Sequence, residues 1–475
     1  MATTEKQPNQ KVEQRVGLLA LGRATFDVAF AEERFATVLS ALDAAPISLV
    51  GPRELLFDGD AARTAIEELK AQTIDRLLIA QITFTDAAVT VEAAKALGVP
   101  ISIWAVPEPR RGSRLRLNAF CGLNLASHAL GINRTAFSWA YGDAPDVDVM
   151  HLLSDRGRTT KRFGTAPTLD ANDEAEAEAS AITERLRAKR IARLGPHPDG
   201  FDTCRYGPAA LDALAGVSVD EYEISDLFDR ANALPETAEA PLKAQLDSGV
   251  GALDSVDGDE LARSLRLKLA LDAMRSDHGY DAFAIRCWPE TFTEYGGAVC
   301  GPVSLMGGAR VPCACEADIY GALTQLILQD VADAPVFLAD MVDVDTNDNS
   351  VVVWHCGQAP LDMAAPNNDV TATIHTNRKM PLLMEFTLKP GRVTLMRISQ
   401  AHGQTQMILS SGTVLDRPMS FTGTSGVITF DTDAQAWMEG VFDSGLEHHM
   451  ALAYGDHRDA LMRVAAALDL RVLEL

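Results

Sequence analysis

The 475-residue chain is 47% hydrophobic and 23% charged, the balance of an ordered globular protein long enough for two or three domains. Its formal net charge of −24 argues against a nucleic-acid backbone or an anionic membrane surface as a partner. No apolar run approaches the roughly 20 residues of a membrane span. The polar segment 1–10 reads as a disordered tail without a signal-peptide core, and seven cysteines with no regular framework fit a reducing cytoplasm.

In chain order, 16–22, 47–50, 76–80 and 101–105 are continuous apolar runs. Between them, 26–45, 61–71 and 87–97 carry apolar residues at helical spacing. Fully apolar strands alternating with helices predict a parallel sheet covered on both faces. The first turn, GRATF at 22–26, lacks a G-x-G-x-x-G fingerprint, so the shape is Rossmann-like without sign of a dinucleotide site. Segment 107–116 then clusters four arginines in an acidic protein. It is either a solvated loop or one that reaches a neighbouring subunit or an anionic or polyhydroxy ligand.

Gly-, Pro-, Asp- and Thr-rich pieces between 143 and 175 mark a boundary, and a second alternation follows. Its expected helices are 174–190, 209–215 and 261–277, and its expected strands begin at 190 and cover 217–224 and 282–287. The last strands of that sheet are expected at 313–315 and 335–339, with a helix over 318–330 between them. Beyond 340 the texture changes to short β-prone runs at 351–354, 381–387, 392–397 and 426–430. A helix over 458–468 and a strand at 471–475 close the chain. The fold class predicted is α/β: Rossmann-like domains at 1–172 and 173–345, then a β-rich domain at 346–475.

The chemistry gathers around CACEADI at 313–319. One buried-looking run delivers Glu316 and the next ends on Asp340. A carboxylate leaving water is costly unless it is paired or bound to a cation. VWHCG at 353–357 places His355 at the end of a β run, and GLEHH at 445–449 places His448 and His449 ahead of an apolar segment. Two carboxylates with one or two imidazoles suit a borderline-hard divalent ion: Mn²⁺, or Co²⁺ or Fe²⁺. Plainer readings stand beside this one. A histidine ending a strand is often hydrogen-bonded in place, His448 and His449 could form a surface pair, and Glu316 could pair with Arg286 or Arg310. Cys313 and Cys315 share a strand face and read as small core residues rather than zinc ligands. Trp288 offers either an apolar face to a ligand or a core side chain.

The run CWP at 287–289, Cys300, PCACEADIYGAL at 312–323 and FLAD at 337–340 resembles the second-domain core of the L-fucose isomerase family. WHCG at 354–357 and GLEHHMALAYGD at 445–456 resemble the third-domain motifs of its shorter fucose-isomerase-like branch, whose architecture L-arabinose isomerases share. The resemblance implies two Rossmann-like domains, a β-rich third domain, a Mn²⁺-type ion and a homo-oligomer such as a hexamer. Carried over residue by residue, Glu316 and Asp340 match the metal-binding and proton-transferring carboxylates. His449 matches the C-terminal histidine ligand, with His448 adjacent as an alternative, and His355 resembles the extra histidine of the arabinose isomerase pattern. Trp288, His448, Arg110 and Asn118 are the expected substrate contacts.

The activity implied is aldose–ketose isomerisation through a cis-enediol. The alternatives are a metal-dependent epimerase or an isomerase of a modified or anionic sugar and, more distantly, a non-catalytic sugar-binding protein. The chain is shorter than the fucose isomerases, mainly in its last domain, so the resemblance speaks to chemistry more than to sugar specificity.

Overall fold

The computed structural model describes residues 14–366 and 369–475; the tail expected over 1–10 lies outside them. The first sheet has the order Ile47–Val50, Gln14–Leu21, Arg76–Gln81, Ile101–Ala105, Phe137–Tyr141, with every pairing parallel. Gln14–Leu21, Arg76–Gln81 and Ile101–Ala105 are buried almost end to end, which is why they read as unbroken apolar runs. The second sheet is also parallel: Ser218–Tyr222, Arg190–Leu194, Ala282–Ile285, Cys313–Cys315. Among the described residues no helix is long and apolar enough to cross a membrane.

Among the described residues the third sheet holds nine strands and is mixed. Within it Thr424–Phe430, Ser350–His355, Phe337–Asp345, His449–Tyr454, Gly391–Ser399 and Gln406–Val414 pair in sequence, and the last returns to pair with the first. The six therefore close into a barrel, which leaves none of them a bare edge.

One expectation is corrected here. The run ending on Asp340 was expected as a strand of the second parallel sheet. It is instead the strand Phe337–Asp345, antiparallel in the middle of the barrel, and Asp340 is its fourth residue rather than its end. An apolar run announces burial, but the side chains alone do not say which neighbour supplies the backbone hydrogen bonds. The helix Ile319–Ala332, buried nearly all round, connects the Cys313–Cys315 strand to the barrel and so ties the two sheets together.

Candidate active site

Glu316 follows the short strand Cys313–Cys315, and both Glu316 (φ 58°) and Ala317 (φ 55°) sit in the left-handed region. Non-glycine residues pay about 1–3 kcal/mol each for such backbone, and it persists where surrounding structure imposes it, often at functional sites. Here the turn places the Glu316 carboxylate where Trp288 Nε1 donates to Oε1 at 3.0 Å and His448 Nε2 lies 2.8 Å from Oε2.

Asp340 comes from the barrel, with His449 directly opposite on one neighbouring strand and Trp354 on the other. Asp340 Oδ1 is buried without a hydrogen-bond partner, and so is His449 Nε2, 3.4 Å away. Glu316 Oε2 lies 3.8 Å from the same nitrogen. Burial raises the Glu316 carboxyl, but the His448 bond and the two imidazoles outweigh it and hold it below its ordinary range. Burial pushes Asp340 up to about 7; His449 opposes that shift and the Glu316 charge adds to it.

The imidazoles differ in tautomer, because their hydrogen bonds differ. His449 Nδ1 is 3.0 Å from the ionised Asp318, so Nδ1 carries a proton and Nε2 is turned towards the Glu316 and Asp340 carboxylates. His355 is the reverse: its Nδ1 accepts from the Cys356 backbone N–H at 2.8 Å, which leaves the proton on Nε2. Burial and the neighbouring imidazoles push His355 well below its ordinary pKa, so it is a neutral N–H donor. Asp340 Oδ1 and His449 Nε2 are thus two buried polar atoms without a hydrogen-bond partner, and Glu316 Oε2 lies beside the same nitrogen. Buried lone pairs in that arrangement repel unless a cation or proton sits among them.

Behind His449 stands a fully satisfied carboxylate that the sequence reading passed over. Asp318 caps the helix through the Gly321 N–H (2.8 Å) and receives His449 Nδ1. It also takes both arms of Arg397, at 2.6 and 3.0 Å. Burial would raise Asp318, but Arg397 and His449 bring its carboxyl far below the usual range. Gly321 is required by the fit, since a Cβ there would lie 2.5 Å from Asp318 Oδ2. The available signals were an arginine inside the apolar strand Gly391–Ser399 and an aspartate two residues beyond Glu316.

Of the residues expected from sequence, Glu316, Asp340, His355, His448, Trp288 and Asn118 line one cavity, and His449 reaches to 3.4 Å from Asp340 in its wall. Asn118 opens the helix Ala119–Ile132 in left-handed conformation, with its Oδ1 buried and unpartnered. Arg110 is not brought there. Its guanidinium binds Asp343 (2.5 Å) and Ser350 (2.7 Å) beside a separate cavity, so its charge is spent within the fold. Arg116 is likewise held by Asp27 at 2.9 Å. The cations that do line the site, Arg23 and Arg378, were not anticipated. Cys313 and Cys315 are buried in one core cluster, as the plainer reading had it, although Cys315 also borders the cavity.

Comparison with known proteins places residues 17–148 on the family model for the fucose/sulfoquinovose isomerase N-terminal domain, and residues 353–475 on that for the L-fucose isomerase C-terminal domain. The sulfoquinovose isomerase of Priestia aryabhattai is 28% identical over 452 residues, 95% of this chain and 96% of that protein. That of Clostridium sp. (strain MSTE9) is 28% identical over 462 residues, 96% of this chain and 98% of the relative. Among solved structures, an ABC sugar transporter subunit from Rhodobacter sphaeroides 2.4.1 covers 64% of this chain and 78% of its own, at 10% identity and a TM-score of 0.24.

Proposed function

The chain belongs to the fucose/sulfoquinovose isomerase family, and we propose that it interconverts an aldose and its ketose through a cis-enediol at the Glu316–Asp340–His449 cluster. The observation that carries this reading is the meeting of two buried polar atoms without a hydrogen-bond partner, Asp340 Oδ1 and His449 Nε2, 3.4 Å apart, with Glu316 Oε2 3.8 Å from the same nitrogen. Mixed carboxylate and imidazole donors suit Mn²⁺, with Co²⁺ chemically close, and Glu316, Asp340 and His449 would hold it. When bound, such an ion supplies Lewis-acid polarisation of the sugar carbonyl. His355, expected among the ligands, groups with Asp340 and His449 closely enough to hold a metal ion. In the ion-free chain its Nδ1 accepts the Cys356 N–H, so its Nε2 is a donor that a substrate oxygen can use.

The rest is work for the chain. A carboxylate oxygen takes the proton from C2, the C–H pair forms the C1–C2 double bond, and the carbonyl π pair moves onto O1, which takes up a proton. The carboxyl then returns its proton to C1 as the O2 hydroxyl gives up its own and becomes the ketose carbonyl, so the O2 proton replaces the one taken up at O1. No external oxidant or reductant enters. Trp288 holds Glu316 through its N–H, and the apolar wall from Trp288, Phe84 and Phe292 limits water around the intermediate. The name carried by the relatives supports a modified, anionic aldose, sulfoquinovose, over a neutral one. Assembly as a homo-oligomer belongs to the same reading, and sedimentation measures it.

Two results are expected. With Mn²⁺ and a panel of neutral and sulfonated aldoses and ketoses, deuterium from solvent enters the carbon next to the carbonyl; chelation stops this and Mn²⁺ restores it. Full activity in thoroughly metal-free protein, or no exchange on any sugar, would sink the proposal. Secondly, Asp318→Asn should weaken Mn²⁺ binding by about 10- to 100-fold, because it removes the carboxylate that fixes the His449 tautomer. Titration calorimetry with Mn²⁺ reads this without turnover, and unchanged affinity would remove Asp318 from the positioning role.

A further inference from the structure

Two cations flank one face of the cavity, and the proton-transfer chemistry uses neither. Arg23 lies in the loop after the strand Gln14–Leu21, at the carboxyl end of the first parallel sheet, where such sheets open their ligand crevices. Arg378 lies in the loop after Thr371–Thr373 of the third sheet. Their guanidinium carbons sit 5.7 and 5.3 Å from the centre of the Trp288 ring. Trp288 in turn donates its N–H to Glu316, so one indole joins the cationic side of the cavity to the carboxylate side.

Their charges are unequally matched. Arg23 has one carboxylate, Asp86, at 2.6 Å. Arg378 has no carboxylate within salt-bridge reach among the described residues; its backbone N–H meets His375 Nδ1 at 3.2 Å, and its charged end meets only the Trp288 ring. Burial, then the charge of Arg23, depress its pKa. A half-buried cation that faces a second cation and lacks a counter-ion is costly in a finished fold. In a protein of net charge −24 the missing anion is a local want, not a general one.

We propose that Arg378, assisted by Arg23, forms the subsite that takes the anionic end of the substrate, and that this pair sets the preference for a sulfonated over a neutral sugar. The inference rests on the isomerase reading for its substrate but stands on a separate part of the cavity. A planar guanidinium offers paired donors to an oxyanion, and hydrogen bonds to a charged group are the stronger kind. The sugar then lies along the Trp288 face, its carbonyl end towards Glu316 and Asp340 and its sulfonate towards Arg378.

The test reads binding rather than turnover. Titration calorimetry on the full Mn²⁺-loaded chain uses three polyols that have no carbonyl to react: glucitol, its terminal phosphate, and the sulfonated polyol obtained by reducing sulfoquinovose. The sulfonated polyol should bind the wild type at least about 10-fold more tightly than glucitol. Arg378→Gln should weaken it by about 10- to 100-fold while changing glucitol less than about two-fold. Arg378→Lys, which keeps the charge but not the paired donors, should lose less affinity than Arg378→Gln, and the phosphate arm shows whether the site asks for a sulfonate or for any terminal oxyanion. Equal binding of glucitol and the sulfonated polyol to the wild type would overturn the proposal, as would equal losses for both in Arg378→Gln. A chain that binds the sulfonated polyol through Arg378 yet isomerises nothing would instead sink the isomerase reading and keep this one.

Discussion

An Asp340→Asn variant is expected to fold normally while its turnover of the aldose falls by about 10³-fold or more. Asparagine keeps the size and one oxygen of the side chain but cannot accept a proton from carbon or lend full charge to a cation. Asp340 sits opposite His449 in the barrel, so the exchange leaves the strand pairing intact. The fold should tolerate it for a second reason. Burial pushes the Asp340 carboxyl up to about 7 from an ordinary 3.8, so the ion-free folded chain prefers the neutral form. A carboxyl raised on folding contributes stability that is complete below its unfolded value and is lost as pH rises through the folded one. In chelator-treated protein the wild type should therefore lose stability against Asp340→Asn as pH climbs from about 4 to about 7. Thermal melts across that range check the sign; a wild type that gains on the variant would mean that Asp340 is held ionised. Turnover within 10-fold of wild type would remove Asp340 from the reaction.

Arg397→Met is expected to cost about 3–5 kcal/mol of stability, the usual result of removing one member of a buried ion pair. The side chains of Arg397 and Asp318 are each 1% exposed, so the stranded Asp318 charge has no water to turn to. Glu447, 3.9 Å from Arg397 Nε and 2% exposed, would lose its cation as well. Denaturant unfolding of the ion-free protein measures the loss. The double variant Arg397→Met with Asp318→Asn should recover part of it, since the neutral amide no longer needs a counter-charge, and the double-mutant cycle reads the coupling. The same arginine acts at a distance on the site, because Asp318 positions His449. Arg397→Met should weaken Mn²⁺ binding as well as the fold. A loss under about 1 kcal/mol would mean that water or a shifted neighbour already serves Asp318.

Much of this protein was legible in its sequence. Unbroken apolar strands alternating with helices describe a parallel sheet wherever they occur, since both faces must be covered. The run through Gln14–Leu21, Arg76–Gln81 and Ile101–Ala105 pairs as that rule demands. The pattern Cys-Glu-Ala-Asp-Ile, a second carboxylate after the next helix, and the two histidine motifs named the family and most of the cluster, because each is a short string of chemically distinctive side chains.

Three other features depend on pairings between distant residues. The strand carrying Asp340 is apolar enough for either sheet, and only its hydrogen bonds to Ser350–His355 and His449–Tyr454 assign it to the barrel. Arg110 and Arg378 are equally cationic in the sequence. One is neutralised by Asp343, 233 positions away, and the other meets no carboxylate among the described residues. His355 and His449 are both strand histidines, and their tautomers follow from a backbone N–H in one case and from Asp318 in the other. Side-chain type and spacing thus determined which chemistry this chain could carry. Tertiary structure alone decided which charges were already answered and which were left facing the cavity, because a charge is neutralised by its neighbours in space and not by those along the chain.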